Sequence, residues 1–198
     1  MAPTVWTPRR KWLGNLIPAL FWLPLGAVGL FKMIKKLEAF GPGLWFLIAA
    51  TALGWLALNQ FGLFENFKMK LQLQRILAAK KEFPDGDKFF VGFASPSYSS
   101  AIDAHEDVGY LFLLPDSLKF VSETRKVDLA RADIKSVRFR TNVHSLLLLG
   151  RWVSVEGEIA GKPVRMSIEP RERRTLLQNR RFSKQLRARI QKWIDEKA

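Results

Sequence analysis

From Gly41 to Phe64 the chain carries no charged side chain. At about 1.5 Å of rise per residue a helix over this stretch reaches roughly 36 Å, enough for a hydrocarbon layer of roughly 30 Å. Leu44, Phe46, Leu47, Ile48, Leu53, Leu56, Leu58, Phe61, Leu63 and Phe64 lie within it. At about −0.5 kcal/mol apiece on an insertion scale, these residues favour the bilayer by on the order of 5 kcal/mol, against small penalties from Thr51, Asn59 and Gln60. A buried core helix is the alternative, but soluble helices seldom run this far without a charge. The stretch is expected to span a membrane.

A second uncharged run, Trp12 to Phe31, precedes it. Pro18, Pro24, Gly14, Gly26 and Gly29 make it the weaker helix, one that needs a neighbour to cover the hydrogen bonds proline removes. The rival reading is a cleaved signal peptide behind Arg9-Arg10-Lys11. Against it, the run exceeds a usual h-region and shows no A-x-A site. The two spans, about 12–31 and 41–64, are therefore expected to form a transmembrane hairpin over residues 1–64. Arg9, Arg10 and Lys11 before it and Lys68, Lys70, Arg75, Lys80 and Lys81 after it outnumber Lys32, Lys35 and Lys36 in the loop. That bias predicts an inner (cytoplasmic) membrane protein, multi-pass, with both termini cytoplasmic.

Residues 65–83 read as a basic juxtamembrane helix or linker, with Met69, Leu73, Ile76 and Leu77 near helical spacing. Pro84-Asp85-Gly86-Asp87 is a turn that opens the soluble part, 84–198. Strands are expected at 88–95, 108–114, 118–123, 127–129, 134–140, 152–159 and 164–168. The last two are joined at Ala160-Gly161, and Val164, Met166 and Ile168 alternate with polar neighbours. After Pro170 the period changes to 3.6, with Leu177, Phe182, Leu186, Ile190, Trp193 and Ile194 on one face of a terminal helix. Leu146–Leu149 reads as a buried strand, with a partner-docking patch as the alternative.

The step Leu129-Ala130-Arg131-Ala132-Asp133-Ile134-Lys135-Ser136-Val137 resembles the pleckstrin-homology-like superfold in its bacterial PH or GRAM-like form. The Trp152–Ile168 hairpin and the passage through Ile168-Glu169-Pro170-Arg171 into the last helix carry the same likeness, over about residues 88–196. The resemblance implies a small antiparallel β-barrel or sandwich capped by the C-terminal helix. It also implies a non-catalytic module that binds lipids, peptides or partner domains. The full expectation is a membrane-anchored α+β chain, hairpin first and PH-like domain second. Phosphoinositide-binding members carry basic residues after the first strand. Here that loop is serine-rich and ends in Asp103, His105, Glu106 and Asp107, so the scaffold is carried over without the ligand site.

The formal charge of +14 suits an anionic partner, and the nearest is the lipid surface. Lys68, Lys70, Arg75, Lys80, Lys81, Arg180, Lys184 and Arg187 are the candidates for contact with anionic head groups. A solvated face is the plainer reading of all eight. Nucleic acid is disfavoured because no aromatic residues interleave with these charges. The absence of cysteine excludes disulfides, thiolate metal sites and cysteine nucleophiles. His105, Glu106 and Asp107 read as a surface acidic loop, and His144 falls near another strand end. No catalytic residue, metal site or cofactor is therefore expected. Two roles remain: a membrane-anchored binding or scaffold protein with a partner at the membrane, or an accessory subunit that packs in a larger membrane complex through Gly26, Ala27, Gly29, Ala49, Ala50 and Gly54.

Overall fold

The structure, a computed structural model, describes residues 4–36, 40–98 and 104–196. The chain divides into two compact units, residues 8–64 and residues 1–7 with 65–198. Asp103 and part of the serine-rich loop lie outside the described residues.

The first unit is a pair of helices, α1 (Pro8–Lys36) and α2 (Pro42–Phe61). Both are long and apolar enough to cross a membrane. Pro18 and Pro24 sit inside α1 without ending it. Small residues set the approach of the two helices. A Cβ on Gly29 would come within 3.0 Å of the Gly43 carbonyl and Leu47, and one on Gly54 within 2.9 Å of Trp22. Phe21 stacks on Phe61 with ring centroids 5.7 Å apart. Trp12, Leu20, Phe31, Ile34 and Trp45 remain exposed, which suits an apolar solvent better than water.

In the second unit β1 (Asp87–Ala94), β2 (Asp107–Leu113), β3 (Ser117–Ser122), β4 (Lys126–Ala130), β5 (Ile134–Arg140), β6 (Trp152–Ile159) and β7 (Lys162–Pro170) form one antiparallel sheet, ordered β4-β3-β2-β1-β7-β6-β5. Strands β4 and β5 are its two edges, so the sheet is open where a closed barrel was one expectation. A single turn of 3-10 helix, Arg131–Asp133, joins β4 to β5 at the Asp-Ile step, and the short α4 (Val143–Leu146) joins β5 to β6. The terminal helix α5 (Leu176–Asp195) starts at a capping box between Thr175 and Gln178.

Strand β2 is buried on both faces. Leu111 and Leu113 point into a core shared with Val91, Phe93, Phe120, Val155, Ile168 and the Leu186, Ile190 and Trp193 side of α5. The Trp193 indole N–H donates to the Leu114 carbonyl at 2.9 Å and fixes the end of that helix. Val108, Tyr110 and Phe112 point the other way, into a second core completed by Phe90, Val121 and the Met69, Leu73 and Leu77 stripe of α3 (Asn66–Ala79). Those three side chains are fully buried, and each contributes about 1.5–3 kcal/mol. The expected juxtamembrane helix of residues 65–83 is thus an outer layer of the sheet unit. Val5 and Trp6 join the same core from the N-terminus.

Candidate functional site

The fold gathers its buried charge at one end of β7. Strand pairing puts Val91 opposite Pro170 and Gly92 opposite Glu169, so Glu169 lands beside the short segment that leads into β2. There His105 is 1% exposed and Glu169 2%. The His105 Nε2 faces Glu169 Oε2 across 3.1 Å, and the His144 Nδ1 lies 3.0 Å from the same oxygen. Asn142, the N-cap of α4, donates its amide to that oxygen at 2.9 Å. The two imidazoles are 5.5 Å apart, centroid to centroid. Two glycines make the room: a Cβ on Gly92 would overlap the His105 ring, and one on Gly150 would overlap the Glu169 carboxyl.

Burial opposes ionisation of Glu169, but the charge on His144 and hydrogen bonds from both histidines outweigh it and hold the carboxyl far below the usual range. Behind His105 stands Arg171, 3% exposed, with one guanidinium nitrogen 3.3 Å from Nδ1. Arginine only donates, so Nδ1 accepts and the ring proton sits on Nε2, toward Glu169.

One potential ligand atom from each of His105, His144 and Glu169 lies within 4.8 Å of the others, the spacing of a metal centre. The donor set does not fit one. A ligating imidazole directs its other N–H at an acceptor, whereas Arg171 offers His105 another donor. The carboxylate oxygen is already shared among two imidazoles and an amide, which makes the cluster an internal charge network.

Arg171 also reaches both ends of the chain that flank the hairpin. Its guanidinium stacks over Trp6, 5.0 Å from the ring. Its Nε donates to Asn66 Oδ1 at 2.8 Å, and the Asn66 amide returns a bond to the Arg171 carbonyl at 2.6 Å. Trp6 packs edge-on to His105 at 6.4 Å. Further out, Thr4 and Val5 donate backbone N–H groups to Glu123 at 2.7 and 2.8 Å. Residues 4–6 and 66 are thereby fastened to the sheet.

The acids beside His105 have partners of their own. Glu106 binds Arg125 and the Ser95 N–H, and Asp107 accepts from Ser122 and Thr124. The expected surface acidic loop is corrected here: His105 and Asp107 are buried, because Glu106 N–H bonds the Phe93 carbonyl and draws the segment onto β1. Burial works against the charge of Glu106, yet the Ser95 and Arg125 bonds still lower its pKa.

The expected buried strand at Leu146–Leu149 is also corrected. Leu149 is buried, but Leu146, Leu147 and Leu148 are 79%, 42% and 61% exposed. Helix α4 ends with the Leu149 N–H on the His144 carbonyl and the Leu148 N–H on the Ser145 carbonyl, a Schellman closure. Leu148 takes the left-handed position at φ 59° that glycine usually fills, at a cost of about 1–2 kcal/mol for an L-residue.

The eight candidate lipid-contact residues divide between opposite faces of the sheet. On α3, Lys68 pairs with Glu65 at 3.0 Å and Lys70 pairs with Glu172, while Arg75, and Lys80 and Lys81 in the turn after the helix, are exposed. On α5, Arg180 donates to the Leu148 carbonyl. Arg187 donates to the Val137 carbonyl at 3.2 Å and stacks 5.1 Å over Phe139. Lys184, spaced between them on the helix, is exposed. A groove of about 530 Å³ runs along the start of α5, lined by Glu172, Arg173, Arg174, Arg181 and Phe182. Glu172 there accepts the Phe90 N–H at 2.5 Å. Burial, and then the charge of Glu172, pushes the Tyr110 hydroxyl pKa up.

No protein-family model and no curated protein matches this chain. The convergence of His105, His144 and Glu169 had no signal in the sequence beyond these being its only two histidines.

Proposed function

We propose that this chain is a non-catalytic, membrane-anchored binding or scaffold protein that presents a PH-like module at the cytoplasmic surface. The observation that carries this reading is the Arg171 clasp. One buried guanidinium holds Trp6 and Asn66, the residues on either side of an apolar two-helix insertion. A chain that leaves and re-enters one folded unit must cross a bilayer an even number of times. The first crossing then begins, and the second ends, on the side where the sheet lies, and the flanking basic residues favour the cytoplasm. Seven antiparallel strands followed by a helix packed across them support the PH-like comparison.

The charged network turns its polar atoms on one another: His105, His144 and Asn142 all meet the Glu169 carboxylate. Anchoring supplies high local concentration, so weak contacts suffice for recruitment. The assembly-subunit reading relied on small residues, but Gly29, Gly43 and Gly54 are used within the hairpin itself.

The chain has no cysteine, so single substitutions report topology cleanly. In intact cells a membrane-impermeant maleimide should label Phe40→Cys, in the turn between the spans, and spare Gln191→Cys on α5. Alkaline carbonate should leave both variants in the membrane. Labelling of Gln191→Cys from outside, or release by carbonate, overturns the reading. Cross-linking in native membranes separates the two roles: soluble neighbours support recruitment, and one dominant integral-membrane neighbour supports assembly.

A further inference from the structure

We propose that Leu146, Leu147 and Leu148 form a tip that enters the head-group layer of an anionic bilayer, flanked by Arg180, Lys184 and Arg187. The proposal rests on the anchored reading above and adds a second, separate contact with lipid.

Three observations carry it. The first is exposure that the fold maintains against its own preference. Leu148 stands at the left-handed closing position of α4, where glycine would be free of strain, and its side chain is 61% exposed. Burial therefore does not explain a leucine at this position. The two leucines before it, Leu146 and Leu147, are exposed as well, at 79% and 42%.

The second is charge. Arg180, Lys184 and Arg187 fall at helical spacings of four and three, on one stripe of α5. That stripe meets the tip directly, through the Arg180 guanidinium on the Leu148 carbonyl. From Arg173 to Ile194 the chain has no acidic residue. An apolar tip beside clustered cations matches an acyl boundary beneath anionic head groups.

The third is position. His144 begins the turn that displays the leucines and is one imidazole away from His105, which touches both Trp6 and Arg171. The tip therefore belongs to the end of the sheet unit that holds Trp6 and Asn66, the residues bordering the apolar helices. A protein partner would need apolar complementarity, but nothing in the cationic stripe asks for it.

The test uses the full chain in lipid nanodiscs, with a polarity-sensitive dye on Leu146→Cys. Leu53→Cys in α2 serves as the inserted reference and Ala160→Cys in the β6–β7 turn as the aqueous one. In discs containing phosphatidylglycerol, the dye at position 146 should emit to the blue of the dye at 160. Lipids bearing a nitroxide near the head group should quench it at least twofold more. Lys184→Glu, or discs of phosphatidylcholine alone, should reduce that difference at least twofold. Quenching at 53 with an aqueous signal at 146 overturns the tip and leaves the anchor standing. Aqueous signals at both positions overturn the anchor and the tip together. A dye at 146 that is shielded only on adding soluble cell extract assigns the leucines to a protein partner and also overturns the proposal.

Discussion

Replacing Arg171 with methionine keeps most of the side-chain volume and removes every directed contact of the guanidinium, while the bond from the Asn66 amide to the backbone carbonyl of residue 171 remains. The bond from Nε to Asn66 Oδ1 is 2.8 Å long and charge-assisted, worth about 1.5–3 kcal/mol. The cation over Trp6 contributes about 0.5–2 kcal/mol. An acceptor at His105 Nδ1 left without its donor costs about 1–3 kcal/mol. Burying a thioether where a guanidinium stood returns about 1–2 kcal/mol. The net expectation is a loss of about 4 kcal/mol from the sheet unit, read by pulse proteolysis across a urea series on the full chain in detergent. Asn66→Ala alone should cost less, and the double variant should fall short of the sum by about 1–2 kcal/mol, because both changes break one bond. A loss below about 1 kcal/mol for Arg171→Met, or strict additivity with Asn66→Ala, would refute the argument that one guanidinium ties these segments together.

The same assay should show Gly92→Ala and Gly150→Ala each losing about 3 kcal/mol or more, since the new methyl overlaps His105 or Glu169 in a network with no slack; wild-type stability in either would remove the steric account. Glu156, held by Arg138 and Arg140 on β5, has its carboxyl pushed down to about 2, the arginines overcoming a burial effect of opposite sign. Its folded pKa lies below its unfolded one, so its contribution is present above about pH 4.5 and is lost as pH falls toward 2; Glu156→Gln should flatten the acid limb of a stability profile over that window. Zinc or EDTA should leave the melting temperature of the full chain unchanged, and a zinc-dependent rise that Glu169→Gln abolishes would restore the metal reading. Leu148→Gly removes about 1–2 kcal/mol of left-handed strain and adds back about 0.5–1 kcal/mol of chain entropy. It should therefore melt about 2 °C higher while losing lipid contact.

The parts of this fold that were legible in the sequence are those whose physics is local. Charge-free runs marked α1 and α2, period-two alternation with turns at Pro84-Asp85-Gly86, Pro115-Asp116-Ser117 and Ala160-Gly161 marked the strands, and period 3.6 marked α5. The layering of the sheet was less visible, although Val108–Leu114 is almost continuously apolar and so signals a strand covered on both faces. Taken with the Met69, Leu73 and Leu77 stripe, that run contained the second core. The charged network was not legible. His144 and Glu169 are 25 residues apart and His105 and Arg171 are 66 apart, and only the β1–β7 ladder brings them together. Leu146–Leu149 has no period at all, so four apolar residues in a row read as a strand. The left-handed turn at Leu148 gave no warning because no glycine marks it.

The network and the leucine tip are mechanically one object. Helix α4 has only four residues, too few to be stable by itself, so what fixes it must lie at its ends. At its start Asn142 caps Ser145 and donates to Glu169, and His144 closes on the same carboxylate. At its finish Leu149 drops into the interior and Arg180 bonds the Leu148 carbonyl. A buried carboxylate that orients α4 from below therefore also determines where the three leucines point. Through His105 and Arg171 the same carboxylate is linked to Trp6 and Asn66. Loosening the network should release the tip and the borders of the hairpin in one step, which gives a physical reason to retain a costly buried charge where a hydrophobic cluster would have been as stable.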